Sequence, residues 1–309
     1  MLPGIFQKPE NTAKKPHPVS SHLNTGKQTV KLIRFGAAGE ERPGVIDAGG
    51  TVRDVSSLVP DFTPETVSPA LVERLGRADL ADLPAAPAGA RIGAPLSRVG
   101  HFIAIGLNYA EHAAETGAAV PKEPVVFSKA PSSLCGPDDD VLLPRGSHKL
   151  DWEVELAVVI GRRCDYVEEA DALSHVLGYA LCNDFSEREY QKERAGQWIK
   201  GKSAPTFGPL GPFIATADEI ADPQALSMFL DVNGERRQTG STATMIFPVA
   251  HLVSYLSRFM VLEPGDVITT GTPPGVGLGM SPPQFLRAGD EVRLGMEGLG
   301  EQRHRVVAR

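Results

Sequence analysis

No stretch of the sequence approaches the roughly twenty consecutive apolar residues that a helix needs to cross a bilayer, and the N-terminus lacks the apolar centre of a secretory signal. A membrane partner is therefore not expected. Cysteine is scarce: Cys135, Cys164 and Cys182 are odd in number and form no CxxC pair. That pattern favours reduced thiols in a cytoplasmic protein over a disulfide framework. A basic excess is missing too. The net charge of −7 argues against a nucleic-acid partner, because binding to a phosphate backbone requires a positive surface. The glycine-rich loop Gly271–Gly279 carries no GK[ST], and the chain has no G-x-S-x-G elbow, so neither a nucleotide loop there nor a serine hydrolase is indicated.

What is present reads as a folded chain of 309 residues with ordinary apolar content, 41%. Residues 1–29 are polar and proline-rich, with Pro3, Pro9, Pro16 and Pro18, and read as a flexible tail. From Val30, short strand-like pieces alternate with glycine turns, so 30–97 is expected to be a small β-rich module. It ends in a linker at Leu83–Gly89, and 98–309 forms the larger domain. Strands are expected at His101–Gly106, Glu123–Phe127, Trp152–Ile160, His175–Asn183, Leu226–Val232 and Val267–Thr270. One clear helix, Pro248–Met260, is expected to pack through Val249, Leu252, Val253, Leu256 and Phe259. Many strands and few helices give an α+β, β-rich class and speak against a doubly wound parallel sheet.

Glu153 and Glu155 stand two apart in the β-branched run Trp152–Ile160, and Asp184 follows in Ala180-Leu-Cys-Asn-Asp-Phe185. Residues i and i+2 of a strand share a face, so the two glutamates project together from an apolar surface. Like charges packed there repel and lose solvation, which protons or a cation must offset. Three oxygen ligands without His or Cys suit a hard ion, Mg²⁺ or Mn²⁺. The plainer reading is a pair of residues on the solvent face of an antiparallel sheet. Cys182, close by, reads as a small core residue.

Ala110–Glu115 is helical in character and places His112 and Glu115 at i and i+3, where they can touch. If Ser186 opens a short helix, Arg188 and Gln191 share a face. A guanidinium fork and an amide suit a carboxylated substrate, although the flanking Glu187, Glu189, Lys192 and Glu193 equally suit a solvated face. Lys202 is an electrostatic stabiliser or a surface lysine. The loop Gly271-Thr-Pro-Pro-Gly-Val-Gly-Leu-Gly279 has two prolines where helix-entry amides would be needed. It reads as a turn whose amides and Thr272 approach a small anion.

Taken in order, Ile105-Gly-Leu-Asn-Tyr-Ala-Glu-His-Ala-Ala-Glu115, Glu123-Pro-Val-Val-Phe127, Asp151-Trp-Glu-Val-Glu-Leu156, Gly178-Tyr-Ala-Leu-Cys-Asn-Asp184, Gly201-Lys-Ser203 and Gly271-Thr-Pro-Pro-Gly-Val-Gly277 resemble the signature series of the fumarylacetoacetate hydrolase family. The resemblance implies a mixed β-sandwich roll, usually a homodimer. It implies that Glu153, Glu155 and Asp184 bind Mg²⁺ or Mn²⁺, and that His112 with Glu115 is a catalytic dyad on a lid-like segment. Lys202, Arg188, Gln191 and Thr272 would lie around the substrate, Lys202 stabilising an oxyanion. Members that hydrolyse fumarylacetoacetate carry a further metal-binding aspartate where this chain has Asn108. The runs Lys200–Pro212 and Leu294–Gln302 instead resemble bacterial 2,4-diketo-3-deoxy-sugar-acid hydrolases, which act in fucose and rhamnose breakdown and whose relatives are often labelled ureidoglycolate lyase. The implied reaction is metal-assisted cleavage of a 2,4-dioxo acid between C3 and C4, giving pyruvate and a short hydroxy acid. Oxaloacetate decarboxylation, oxo-acid tautomerisation and non-catalytic binding of sugar acids are the alternatives.

Overall fold

The computed structural model describes residues 28–309, so nearly all of the tail expected at 1–29 lies outside the described residues. At the centre is the strand Val154–Ile160, antiparallel to Val176–Asn183 on one side and to Val267–Thr269 on the other. The sheet continues outward from Val267–Thr269 through Phe102–Gly106, which pairs with it in parallel, to Val125–Lys129. On the opposite flank Val176–Asn183 pairs with Ile214–Thr216, and that short strand pairs with Lys31–Phe35, followed by Arg42–Ile46 and Val52–Asp54. The segment 30–97 is β-rich, as its composition suggests, but its strands extend the large sheet rather than forming a sheet of their own.

Every residue of Val154–Ile160 is buried, because both faces of the strand are covered. Leu156, Val158 and Ile160 face one core, shared with Leu230, Val292 and Leu294 of a second, five-stranded sheet. Ala157 and Val159 face another core with Leu32, Val45 and Cys182, closed by the helix Pro69–Arg77. That helix starts where Ser68 caps the Leu71 N–H, and it buries Leu71, Val72 and Leu75. The expected C-terminal helix is shorter than its periodicity suggests and spans Val249–Leu256. Phe259 falls beyond its end, 65% exposed, with its ring against Tyr255. No helix among the described residues is long and apolar enough to cross a membrane.

This packing positions the chemistry. Glu155 is paired across the ladder with Cys182, and cross-strand partners share a face. Asp184 lies two residues beyond Cys182, just past the strand end, with its N–H on the Glu153 carbonyl at 2.9 Å. One face of the central hairpin is therefore apolar over most of its length and acidic at one end. The large aliphatic side chains buried along this strand contribute roughly 1.5–3 kcal/mol each, and together they offset a carboxylate that costs several kcal/mol to bury.

Candidate active site

Glu153, Glu155 and Asp184 are all buried, and one oxygen from each lies within 4.8 Å of the others. Three cations reach this cluster. The Lys202 ammonium donates to Glu153 Oε2 at 2.6 Å and to Asp184 Oδ2 at 2.6 Å. Lys129 donates to Asp184 Oδ1 at 2.5 Å and to the Lys202 carbonyl at 2.6 Å. Arg188 forks between Asp151 Oδ2 at 2.8 Å and Glu153 Oε1 at 2.7 Å. Burial alone would push the Glu153 carboxyl up. Lys202, Arg188 and His112 outweigh it and hold the group well below the usual carboxylate range.

Glu155 stands apart. Its one hydrogen-bond partner among the described residues is the Gly271 N–H, 2.9 Å from Oε2, and no cation pairs with it there. Burial, then Asp184 and Glu153, raise its carboxyl well above the ordinary value. Three close carboxylates, one of them without a cation, form a donor set suited to a divalent metal. Asn108 does not join it. Its amide donates to the carbonyls of Phe247 at 3.0 Å and Thr270 at 2.8 Å and accepts the Phe247 N–H at 2.8 Å, so it ties loops together.

The short helix Ala110–Glu115 brings His112 Nδ1 to 2.8 Å from Glu115 Oε1, and Glu115 Oε2 takes the Gly275 N–H at 2.8 Å. Nδ1 therefore carries the proton and Nε2 is left as the basic nitrogen. Arg188 and Gln191 also meet, Nη1 to Oε1 at 3.0 Å, but across a single π-helical turn, Glu189–Glu193, rather than an α-helix. The neighbouring Glu187 is buried, not solvated, and caps this turn by accepting the Tyr190 N–H at 2.8 Å.

The glycine loop differs from expectation in what its amides hold. The N–H groups of Gly271, Gly275, Gly277 and Leu278 donate to Glu155, Glu115 and Asp151, carboxylates of the protein itself rather than a free anion. Gly271 and Gly275 have φ of 94° and 108°, and a Cβ on Gly275 would sit 2.0 Å from the Arg237 carbonyl oxygen. Thr272 donates to the Val154 carbonyl at 3.0 Å and accepts from Gln238 at 2.8 Å.

These groups surround one cavity of about 370 Å³ including its open mouth. His112, Glu153, Glu155, Arg188, Gln191, Lys202 and Thr272 line it, together with Phe127 and Trp198. Asp184 lies behind Lys202 and Glu115 behind His112, so all nine residues singled out from the sequence gather at this place. Lys129, Asp151, Gln238 and Trp198 were not foreseen. Asp151 sits at the head of the Asp-Trp-Glu-Val-Glu motif, and Lys129 ends the strand Val125-Val-Phe-Ser-Lys129; those were the available signals. The three cysteines are free, and burial pushes Cys164 up to about 12 and Cys182 well above its ordinary value.

Residues 101–307 match the family model described as fumarylacetoacetate (FAA) hydrolase C-terminal. A provisionally named hydrolase of Burkholderia cenocepacia (strain HI2424) is 58% identical over 278 residues, 90% of this chain and 99% of the relative. The solved structure of a fumarylacetoacetate hydrolase from Exiguobacterium antarcticum superposes with a TM-score of 0.82 at 39% identity, covering 91% of this chain and 100% of that one. A maleylpyruvate hydrolase from Sphingobium sp. SYK-6, solved with manganese(II) and pyruvate, gives 0.75 at 30% identity over 90% of this chain and 99% of its own.

Proposed function

The chain belongs to the fumarylacetoacetate hydrolase family, and from that premise we propose that it is a metal-dependent hydrolase cleaving the C3–C4 bond of a 2,4-dioxo acid. Water adds to C4, the bond to C3 breaks, and the products are pyruvate and the carboxylic acid of the C4 fragment. The observation that carries the reading is the meeting, in one cavity, of three buried carboxylates and a histidine oriented by a carboxylate.

Glu153, Glu155 and Asp184 would hold Mg²⁺ or Mn²⁺. The ion would supply Lewis-acid polarisation of the 2-oxo acid end and draw off the negative charge that develops there as C3 departs. His112 Nε2, with no hydrogen bond among the described residues, takes the proton of the attacking water, while Glu115 holds the Nδ1–H tautomer and steadies the imidazolium. The same nitrogen returns the proton to C3. Lys202, two of whose donors hold Glu153 and Asp184, keeps its third for the oxyanion at C4. Arg188 and Gln191 orient the substrate carboxylate. A water-activating dyad favours hydrolysis over decarboxylation or tautomerisation, neither of which consumes water, and over simple binding. The sequence resemblance supports a hydroxylated, sugar-acid tail on C4, but the chemistry at C2 to C4 does not depend on it.

The test is pyruvate release from a panel of synthetic 2,4-dioxo acids, assayed with Mg²⁺ or Mn²⁺ and with chelator. Metal-dependent release supports the reading; its absence for every acid sinks it.

A further inference from the structure

Lys129 is buried and does not line the cavity, so a substrate there is out of its reach. It is bonded instead to two residues of the site. Its ammonium donates to Asp184 Oδ1 at 2.5 Å and to the backbone carbonyl of Lys202 at 2.6 Å, while the Lys202 ammonium donates to the other oxygen of Asp184, Oδ2, at 2.6 Å. The two lysines thus close a ring through one carboxylate. Next in the chain, the Ala130 N–H donates to Ser203 Oγ at 2.8 Å. Two consecutive residues therefore pin 202–203 to the end of the strand Val125–Lys129.

Lys202 depends on that support. It ends a helical turn of four residues, Ile199–Lys202, too short to be held by its own hydrogen bonds, and its carbonyl is one of those that a helix end leaves without an intrahelical partner. The turn is wedged on its other side: a Cβ on Gly201 would sit 2.4 Å from the Glu187 carbonyl oxygen and 2.6 Å from the Gln191 backbone nitrogen. The Lys202 side chain is a flexible four-carbon stem, so its ammonium is placed by the backbone it springs from and by the carboxylates it meets. Lys129 holds both that backbone and Asp184. We propose that Lys129 is a positioning residue that acts through Lys202, aiming its ammonium at the oxyanion that forms on the substrate. This rests on the role given to Lys202 above and names what holds that residue in place.

A double-mutant cycle at saturating magnesium separates this role from that of a counter-ion that only keeps Asp184 buried. Lys129→Met is expected to lower kcat by about 10²-fold, the cost of a misplacement of about 1 Å, with KM near wild type. Lys202→Met should cost about 10²- to 10³-fold, as loss of an oxyanion donor does. In the Lys202→Met background the change at Lys129 should then cost about twofold at most, because the donor it aims is gone. An unchanged kcat, losses that multiply, or an effect confined to KM overturns the inference. If Lys129→Met does not fold, Lys129→Gln is put through the same cycle under the same criteria. If no dioxo acid is turned over, the reaction fails, and crystal structures of magnesium-loaded wild type and variant decide for Lys129. A Lys202 ammonium displaced from Asp184 or Glu153 by about 1 Å upholds the inference, and an unmoved one overturns it.

Discussion

Nδ1 of His112 lies 2.8 Å from Oε1 of Glu115, and that contact sets which imidazole nitrogen is basic. Glu115→Gln can still accept the Gly275 N–H, but its amide then donates to Nδ1 and moves the ring proton to Nε2. Turnover should fall by about 10²- to 10⁴-fold, as should that of His112→Ala, while metal affinity measured by calorimetry stays near wild type. Parallel loss of metal binding in both variants would make the dyad structural.

Glu155 couples metal to stability. Its carboxyl is raised well above the ordinary 4.5 by burial and by Asp184 and Glu153, so without metal the native state keeps a proton that the unfolded chain has released. Stability from this group is full below 4.5 and is lost as pH rises through the elevated folded value. Metal-free Glu155→Gln should therefore melt above metal-free wild type at about pH 8 and show a flatter pH profile. Magnesium should reverse the order, adding about 2.7 kcal/mol to wild type at a hundredfold excess over Kd and little to the variant. Melting curves with chelator and with magnesium check this; an equal magnesium response removes Glu155 from the ligand set.

Lys129 is 1% exposed and holds Asp184 at 2.5 Å. Lys129→Met should destabilise the metal-free protein by about 3–5 kcal/mol, because it strips a buried carboxylate of a partner. Urea denaturation in chelator measures the loss. A change below about 1 kcal/mol, the scale of an exposed pair, would mean that water or another cation takes the place of Lys129.

Asn108→Asp replaces two amide donors with acceptors that face the Phe247 and Thr270 carbonyls. A loss of about 1–3 kcal/mol is expected from the unsatisfied groups, read by the same denaturation. A variant that kept its stability and bound magnesium more tightly would show instead that this segment can rearrange to supply a fourth ligand.

The site was more legible in the sequence than the sheet that carries it. Glu153 and Glu155 could be placed on one face because strand periodicity is local, and His112 and Glu115 could be joined because i and i+3 meet on any helical turn. The pairing of Lys31 with Ala215, which merges the N-terminal strands with the large sheet, joins segments far apart in the chain and leaves no mark on local pattern. Lys129 escaped notice because a lysine ending a short strand reads the same whether it meets solvent or a buried carboxylate. Phe259 fitted the helical spacing of its neighbours, but the helix stops at Leu256. The glycine loop was recognised as a turn, but which anions its amides would meet depended on side chains from two other segments, 151–155 and the helix that carries Glu115.

That loop sets a limit on redesign. Its four N–H groups grip Glu155, Glu115 and Asp151, and Asp151 in turn fixes Arg188. The proton acceptor, the metal cluster and the guanidinium are thus hinged on one short piece of backbone. Changes to its length or glycines will shift all three in concert, so altered selectivity is better sought at a lining residue that the loop does not hold, such as Trp198, whose ring packs on Phe127.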